Sequence, residues 1–313
     1  MNDATSKKLS VLQKIMPILT ALAFLPLLAC GQKQPDEKTF PTPEDAVVAL
    51  VDAVTTNDDA QLGAILGPDA KSALSSGDDV ADHQGRDLFV AAYFQSASLA
   101  GDDTAKTLYI GSEAWPFPIP VVKASSGWRF DTPAGIDELL SRRIGRNELA
   151  TIDACLSYHD AQKEYAQKAH DGRPSGTYAQ KFVSEPGKQD GLFWTVKEGE
   201  NPSPLGELAA DAAAEGYTRP EGKPTPFRGY YFRILTAQGA NAAGGARSYI
   251  VNGLMRKGFG LVAFPAEYGN SGVMAFVVNQ DGVVYQKDLG SETSKIAGEI
   301  KEFDPDSSWQ KVE

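Results

Sequence analysis

The chain has 313 residues, 30 basic and 41 acidic side chains, a net charge of −11 and two cysteines. So acidic a body is repelled by nucleic acid and by anionic lipid faces, which excludes both as partners held by charge. Two cysteines cannot build a disulfide framework, and 30 Gly with 19 Pro suit turns and antiparallel strands better than a helical bundle.

Lys7, Lys8 and Lys14 precede an apolar run, Ile15 to Ala29, that ends on a small residue before Cys30. A basic start, a short apolar stretch and a small residue at the cut describe a secretory signal. The run of about 15 residues falls short of the roughly 20 that span a bilayer, and Pro17 and Pro26 weaken a spanning helix further. Leu27-Leu28-Ala29-Cys30 resembles the bacterial lipobox. That resemblance implies a signal peptide of residues 1–29 and a lipidated Cys30 as the mature N-terminus. Gly31 in place of Asp implies the periplasmic face of the outer membrane if the cell is Gram-negative. Several acyl chains give lasting attachment where one is marginal. Beyond position 29 stand 27 basic and 40 acidic residues, net −13, so attachment would be through the anchor alone. With Cys30 lipidated, Cys155 has no disulfide partner. Residues 30–39 are polar, contain Pro35 and read as a tether.

A first α+β domain is expected over residues 40–132. Thr42 caps a helix whose first turn holds Pro43, Glu44 and Asp45. Ala46, Val47, Leu50, Val51 and Val54 recur at helical spacing. A second helix runs from Asp58 to Leu66 and stops at Gly67-Pro68. A third is expected from Asp87 to Leu99, with Leu88, Phe89, Ala92 and Tyr93 on one side. Short strands follow: Leu108 to Gly111, Ile119 to Ala124 and Trp128 to Phe130, with Ser125-Ser126-Gly127 as a turn. Helices followed by an antiparallel meander resemble the pattern of nuclear-transport-factor-2-like domains, a likeness that carries no function.

Asp131 to Gly135 is a turn cluster and the expected boundary of a second α+β domain, residues 133–313. Its longest helix is expected from Asp137 to Ala169, with Leu139, Leu140, Ile144, Leu149, Ile152, Leu156 and His159 as the inward stripe and Gly145 as a possible kink. Residues 171–227 read as an irregular excursion holding one short helix, Leu205 to Glu215. A sheet follows: Gly229 to Thr236, Phe259 to Phe264, Val273 to Asn279 and Val283 to Lys287, with Gln280-Asp281-Gly282 as a hairpin turn. Pro265 ends its strand or puts it on an edge. Ser291 to Ile300 closes the chain as a helix, with Trp309 over its end. The expected fold class is therefore α+β: helices on antiparallel sheets in two domains, a long helix against an antiparallel meander in the second.

Four stretches together carry a resemblance: Trp115-Pro116-Phe117-Pro118-Ile119-Pro120, Arg142-Arg143-Ile144-Gly145-Arg146-Asn147-Glu148-Leu149, Gly229-Tyr230-Tyr231-Phe232-Arg233, and the block from Gly260 to Gly269 continued by Asp288-Leu289-Gly290. The chain resembles the exported bacterial family catalogued as domain of unknown function 2950, over nearly all of its mature length. That resemblance implies no activity. A looser likeness to type II secretion pseudopilins rests on a long helix, an irregular segment and a sheet; here the helix lies mid-chain, unlike theirs.

Recognisable catalytic patterns are missing. His83, His159 and His170 are far apart, with no H-E-x-x-H or C-x-x-C, so no metal is expected and His159 reads as a satisfied, partly buried histidine. Gly269-Asn270-Ser271-Gly272 has its second Gly too early for a nucleophile elbow and reads as a turn. Asp304 to Ser308 lacks the Gly and Glu of a calcium loop. No phosphate-binding glycine motif is present, so no cofactor is implied. Cys155 reads as a buried, unreactive thiol. Two clusters stand out as candidate binding residues: Arg142, Arg143, Arg146 and Glu148 on the long helix, and Glu267 with Tyr268 between two strands. The expectation is a membrane-tethered envelope lipoprotein that binds or scaffolds an envelope partner without catalysis. The alternatives are a carboxylate-dependent envelope enzyme using Glu267 and Tyr268, or a secretion- or pilus-associated subunit.

Overall fold

The computed structural model describes residues 38–197, 199–217 and 224–312. The signal segment, Cys30 and the tether as far as residue 37 lie outside the described residues. The described residues belong to one compact unit, which a chain of residues 31–313 contains whole.

Helix α1 (Pro43–Thr55) begins as its sequence dictates. Thr42 Oγ1 accepts from the Asp45 N–H at 3.1 Å, and Pro43 occupies the first turn, where no N–H is needed. Its apolar residues Ala46, Val47, Leu50, Val51 and Val54 are all buried. Helix α2 (Asp59–Leu66) is capped by Asp58, which accepts from Gln61 N–H at 2.9 Å, and ends at Gly67 with φ 78°. A 3-10 turn (Pro68–Ala70) and the single-turn α3 (Lys71–Leu74) follow.

Helix α4 (Asp79–Gln95) begins well before the expected Asp87 and ends before Leu99, which lies in strand β1 (Ala97–Gly101). Its start is set by Asp78, whose carboxylate accepts from the Ala81 N–H at 3.1 Å; the first two turns hold too few apolar residues to show a period. Phe89, Ala92 and Tyr93 pack on the core, but no residue of α4 is fully buried and Leu88 is 67% exposed. Strands β2 (Ala105–Ile110), β3 (Trp115–Pro116), β4 (Val121–Ala124) and β5 (Gly127–Phe130) complete an antiparallel sheet. The strand order is β1-β2-β4-β5, with β3 also on β2. Leu50, Leu62, Ile65, Leu108, Ile119 and Phe130 join this layer to α1 and α2 in one apolar core.

Helix α5 (Thr132–Ala166) runs unbroken for 35 residues through Gly145. The face it buries is only partly the expected stripe: Leu139 and Ile152 pack partly buried against the cores, but Leu149 is 66% and Leu156 40% exposed. His159 is buried as expected, and with it Asn147, Thr151, Cys155, Tyr158, Gln162 and Tyr165 turn inward. Polar groups are admitted here where the helix itself or the segments opposite supply partners. Asn147 Nδ2 donates to Ser271 O at 2.9 Å, Tyr158 Oη to Gly260 O at 3.0 Å, and Gln162 both donates to and accepts from the Ala179 backbone at 2.8 Å. His159 is buried, with Nδ1 2.8 Å from Asp160 Oδ1; its Nε2 has no partner among the described residues.

After the short α6 (Gly206–Ala214) come β6 (Tyr230–Leu235), the small pairs β7 (Ala237–Gln238) with β8 (Arg247–Ser248) and β9 (Ile250–Val251) with β10 (Leu254–Met255), then β11 (Gly260–Pro265), β12 (Met274–Asn279), β13 (Tyr285–Asp288), α7 (Thr293–Glu299) and β14 (Gln310–Lys311). The larger sheet has the antiparallel order β14-β13-β12-β11-β6. Its pleat divides the side chains between two cores. Leu261, Ala263, Phe276 and Val278 join the α5 side, while Val262 and Val277 join Leu235 and Phe303 on the other. Helices thus lie on antiparallel sheets, an α+β fold with the long helix against a meander. Among the described residues no helix is long and apolar enough to cross a membrane.

Cys155 is fully buried, and burial pushes its thiol up to about 12. An exposed thiol ionises near pH ~8.5. Between those two values the folded chain keeps a proton that the unfolded chain releases, so this group's contribution to stability falls as pH rises through that window. In residues 31–313, where Cys155 is the lone cysteine, a thiol reagent at pH 8 should label the denatured chain completely and leave the native one unlabelled over the same time. Rapid native labelling would contradict this burial.

Candidate functional site

The candidate residues on α5 lie together but do different work. Arg142 pairs with Glu138 one turn back (2.6 Å), donates to Pro116 O (3.0 Å) and stands over the Trp115 ring at 4.6 Å. Arg143 is the hub of a junction. Its Nη1 donates to Ser72 O at 2.7 Å and to Asn270 Oδ1 at 2.6 Å, and its Nη2 to Ala73 O at 2.6 Å. Burial pushes its pKa down from the usual arginine value, while the nearby charges of Asp82 and Glu267 favour the cation. Among the described residues Arg143 has no carboxylate in direct contact. Arg146 is exposed, and among the described residues its guanidinium makes no hydrogen bond or ion pair. Glu148 faces the other way: its Oε1 accepts from the N–H groups of Val273 and Met274, both at 2.9 Å, and so anchors the start of β12.

Glu267 and Tyr268 follow β11 in the turn that leads to β12. Glu267 accepts from Asn270 Nδ2 at 2.8 Å, and Asn270 also donates to Ser75 O at 2.7 Å. Asn270 therefore links Glu267 to Arg143, joining the two sequence clusters through one amide. Tyr268 turns elsewhere and donates to Asp288 Oδ2 at 3.2 Å, a bond that pushes its own pKa up. Carboxylate and phenol are thus neighbours in sequence with separate partners. The turn expected at Gly269 to Gly272 is present, with Gly269 N–H donating to Gly272 O at 2.9 Å.

Sequence reading passed over Asp78. It is 1% exposed, caps α4, and accepts at Oδ2 from Gly229 N–H and the Tyr217 hydroxyl, both at 2.8 Å. Gly229 has φ 81°, and a Cβ there would lie 2.6 Å from Asn147 Nδ2, so the close approach of these segments requires glycine. The Ser76-Gly77-Asp78 turn ahead of a helix is the signal that would have found it.

A cleft lies beside this junction. It is set between α1, α2, α4, α5 and the small sheet and has a volume of about 470 Å³. Its walls are chiefly apolar, with Leu50, Leu62, Phe89, Ile110, Phe117 and Leu139 contributing. Arg86, Arg142, Arg143 and Arg146 line it too, with Asp82, Glu113 and Trp115. Arg86 is held by Asp59 at 2.8 Å and by Leu74 O at 3.2 Å. Glu148, Glu267 and Tyr268 are not among the lining residues. The cleft is of the size usual for small-molecule sites, about 300–1,000 Å³. No fixed chemistry accompanies it: among the described residues no group of three or more His, Cys, Asp or Glu side chains is placed to hold a metal ion.

A family model described as a protein of unknown function (DUF2950) matches residues 37–312. No curated protein and no solved structure matches the chain.

Proposed function

The chain belongs to the DUF2950 family; as membership brings no chemistry, we propose from its residues that it is a non-catalytic binding protein of the bacterial envelope, held to a membrane by acylated Cys30. The cleft between α1, α2, α4, α5 and the small sheet carries the binding half of this reading. An apolar hollow of about 470 Å³ is costly to leave lined by water, and it returns that cost when an apolar guest enters. A helix with no fully buried residue, α4, forms one of its walls, which suits a wall that adjusts to a guest. Glu267 and Tyr268, which a carboxylate-based enzyme would set side by side at a pocket, turn to Asn270 and Asp288 and lie outside the cleft.

Residues 31–313 should take up a neutral apolar fluorophore such as N-phenyl-1-naphthylamine saturably and one to one. Linear, unsaturable uptake would remove the cleft as a site. The tether carries its own test. In cells, Cys30→Ser should release the protein from the membrane pellet and abolish incorporation of labelled fatty acid. Retention in the pellet, with no lipid on either form, would contradict the anchor.

A further inference from the structure

Resting on that binding reading, we propose that the guest is a single-chain amphiphile with an anionic head. Its chain would lie along the partly exposed Leu74, Phe89, Phe117 and Leu139, and its carboxylate or phosphate would meet Arg146 and the spare donors of Arg143. The argument starts from charge. The body is strongly acidic, yet four guanidinium groups line this one cleft. Two of them are neutralised, Arg142 by Glu138 and Arg86 by Asp59. The other two have no carboxylate in contact among the described residues.

Arg143 uses three of its five N–H groups on Ser72, Ala73 and Asn270, which leaves Nε and one Nη2 hydrogen. Arg146 lies one turn from Arg142 and lines the same wall with all its donors unspent. Asp82 and Glu113 line the cleft as well, but among the described residues neither touches Arg143 or Arg146; guanidinium donors left unspent beside an apolar hollow are complementary to a molecule that is apolar along its length and anionic at one end. Trp115, 44% exposed, and Leu88, 67% exposed, also line the cleft and offer apolar surface along which a chain can enter.

The test compares guests of one chain length by displacement of the neutral fluorophore from residues 31–313, below their micelle-forming concentrations. Tetradecanoate or tetradecyl phosphate should bind at least about tenfold tighter than tetradecanol, the effect of charge-assisted hydrogen bonds to guanidinium. Affinity should rise by up to about fourfold for each methylene added until the cleft is filled. Arg146→Gln should bring the anion-to-alcohol ratio toward one, and Arg146→Lys should retain most of it; thermal melting confirms that both are folded. Preference for the carboxylate identifies a free fatty acid as the source, and preference for the phosphate a lipid headgroup; either supports the proposal. Equal affinity for anions and alcohol would overturn it while leaving the apolar site intact. Failure of every guest, the fluorophore included, would instead remove the binding reading on which it rests.

Discussion

Arg143→Ala is expected to cost roughly 3–5 kcal/mol of stability, read as a fall in the urea midpoint of residues 31–313. Hydrogen bonds to a charged donor contribute about 1.5–3 kcal/mol each, and buried acceptors left without a donor add their own penalty. Arg143 serves three acceptors: Ser72 O, Ala73 O and Asn270 Oδ1. The losses are not additive, since Asn270 keeps its bonds to Ser75 and Glu267. Domains of this kind hold only about 5–15 kcal/mol in total, so the expected loss is a large share. Arg143→Lys should recover little, because an ammonium on a flexible stem cannot reproduce a planar fork aimed at several oxygens. Arg146→Ala, three residues on and exposed, should stay within about 0.5 kcal/mol of the parent. Equal midpoints for the parent and Arg143→Ala would show that the junction between α3, α5 and the turn after β11 does not depend on this guanidinium.

The sequence made some of this visible and hid the rest for identifiable reasons. Thr42, Pro43, Asp58 and Gly67-Pro68 mark helix ends by local chemistry, and α1 and α2 begin and stop where those residues place them. Asn279 to Gly282 forms its turn for the same reason, with Gly282 N–H donating to Asn279 O at 3.0 Å. Where burial depends on distant partners, hydrophobic period misleads. The stripe from Leu139 to Leu156 predicts the inner face of α5, yet Leu149 and Leu156 face solvent. Asn147 and Gln162 are inside because loops more than a dozen residues away offer them carbonyls and amides, and Thr151 because its hydroxyl donates to the Asn147 carbonyl one turn back. The start of α4 was hidden by its polar opening turns, although Asp78 carried the cap.

The candidate site was half legible. A run of arginines in an acidic chain is conspicuous in one dimension, and Arg142, Arg143 and Arg146 do line one cleft. Glu148 belongs to the run in sequence only, since its carboxylate is spent on the β12 backbone. The link from Arg143 to Glu267 through Asn270 joins residues more than a hundred positions apart, which no local pattern records. The cleft itself has no motif: its walls come from α1, α2, the lightly packed α4, the arginine-bearing face of α5 and a sheet, segments far apart in the chain.

A single substitution tests the cleft most directly. Gly85 lies in α4, lines the cleft, and a Cβ placed on it meets nothing within 4 Å. Leucine there relieves the cost of a mid-helix glycine, about 0.5–1 kcal/mol relative to alanine, while its side chain takes up space that a guest would occupy. Gly85→Leu should therefore melt no lower than the parent and bind the neutral fluorophore at least a hundredfold more weakly. Gly85→Ala, gaining the same helical stability without the bulk, should bind as the parent does. The decisive measurement is the fluorophore titration of these two variants side by side. Loss of binding in the leucine variant alone is the predicted result; undiminished one-to-one binding in a folded Gly85→Leu would contradict the central claim, because the guest would then sit somewhere other than the cleft.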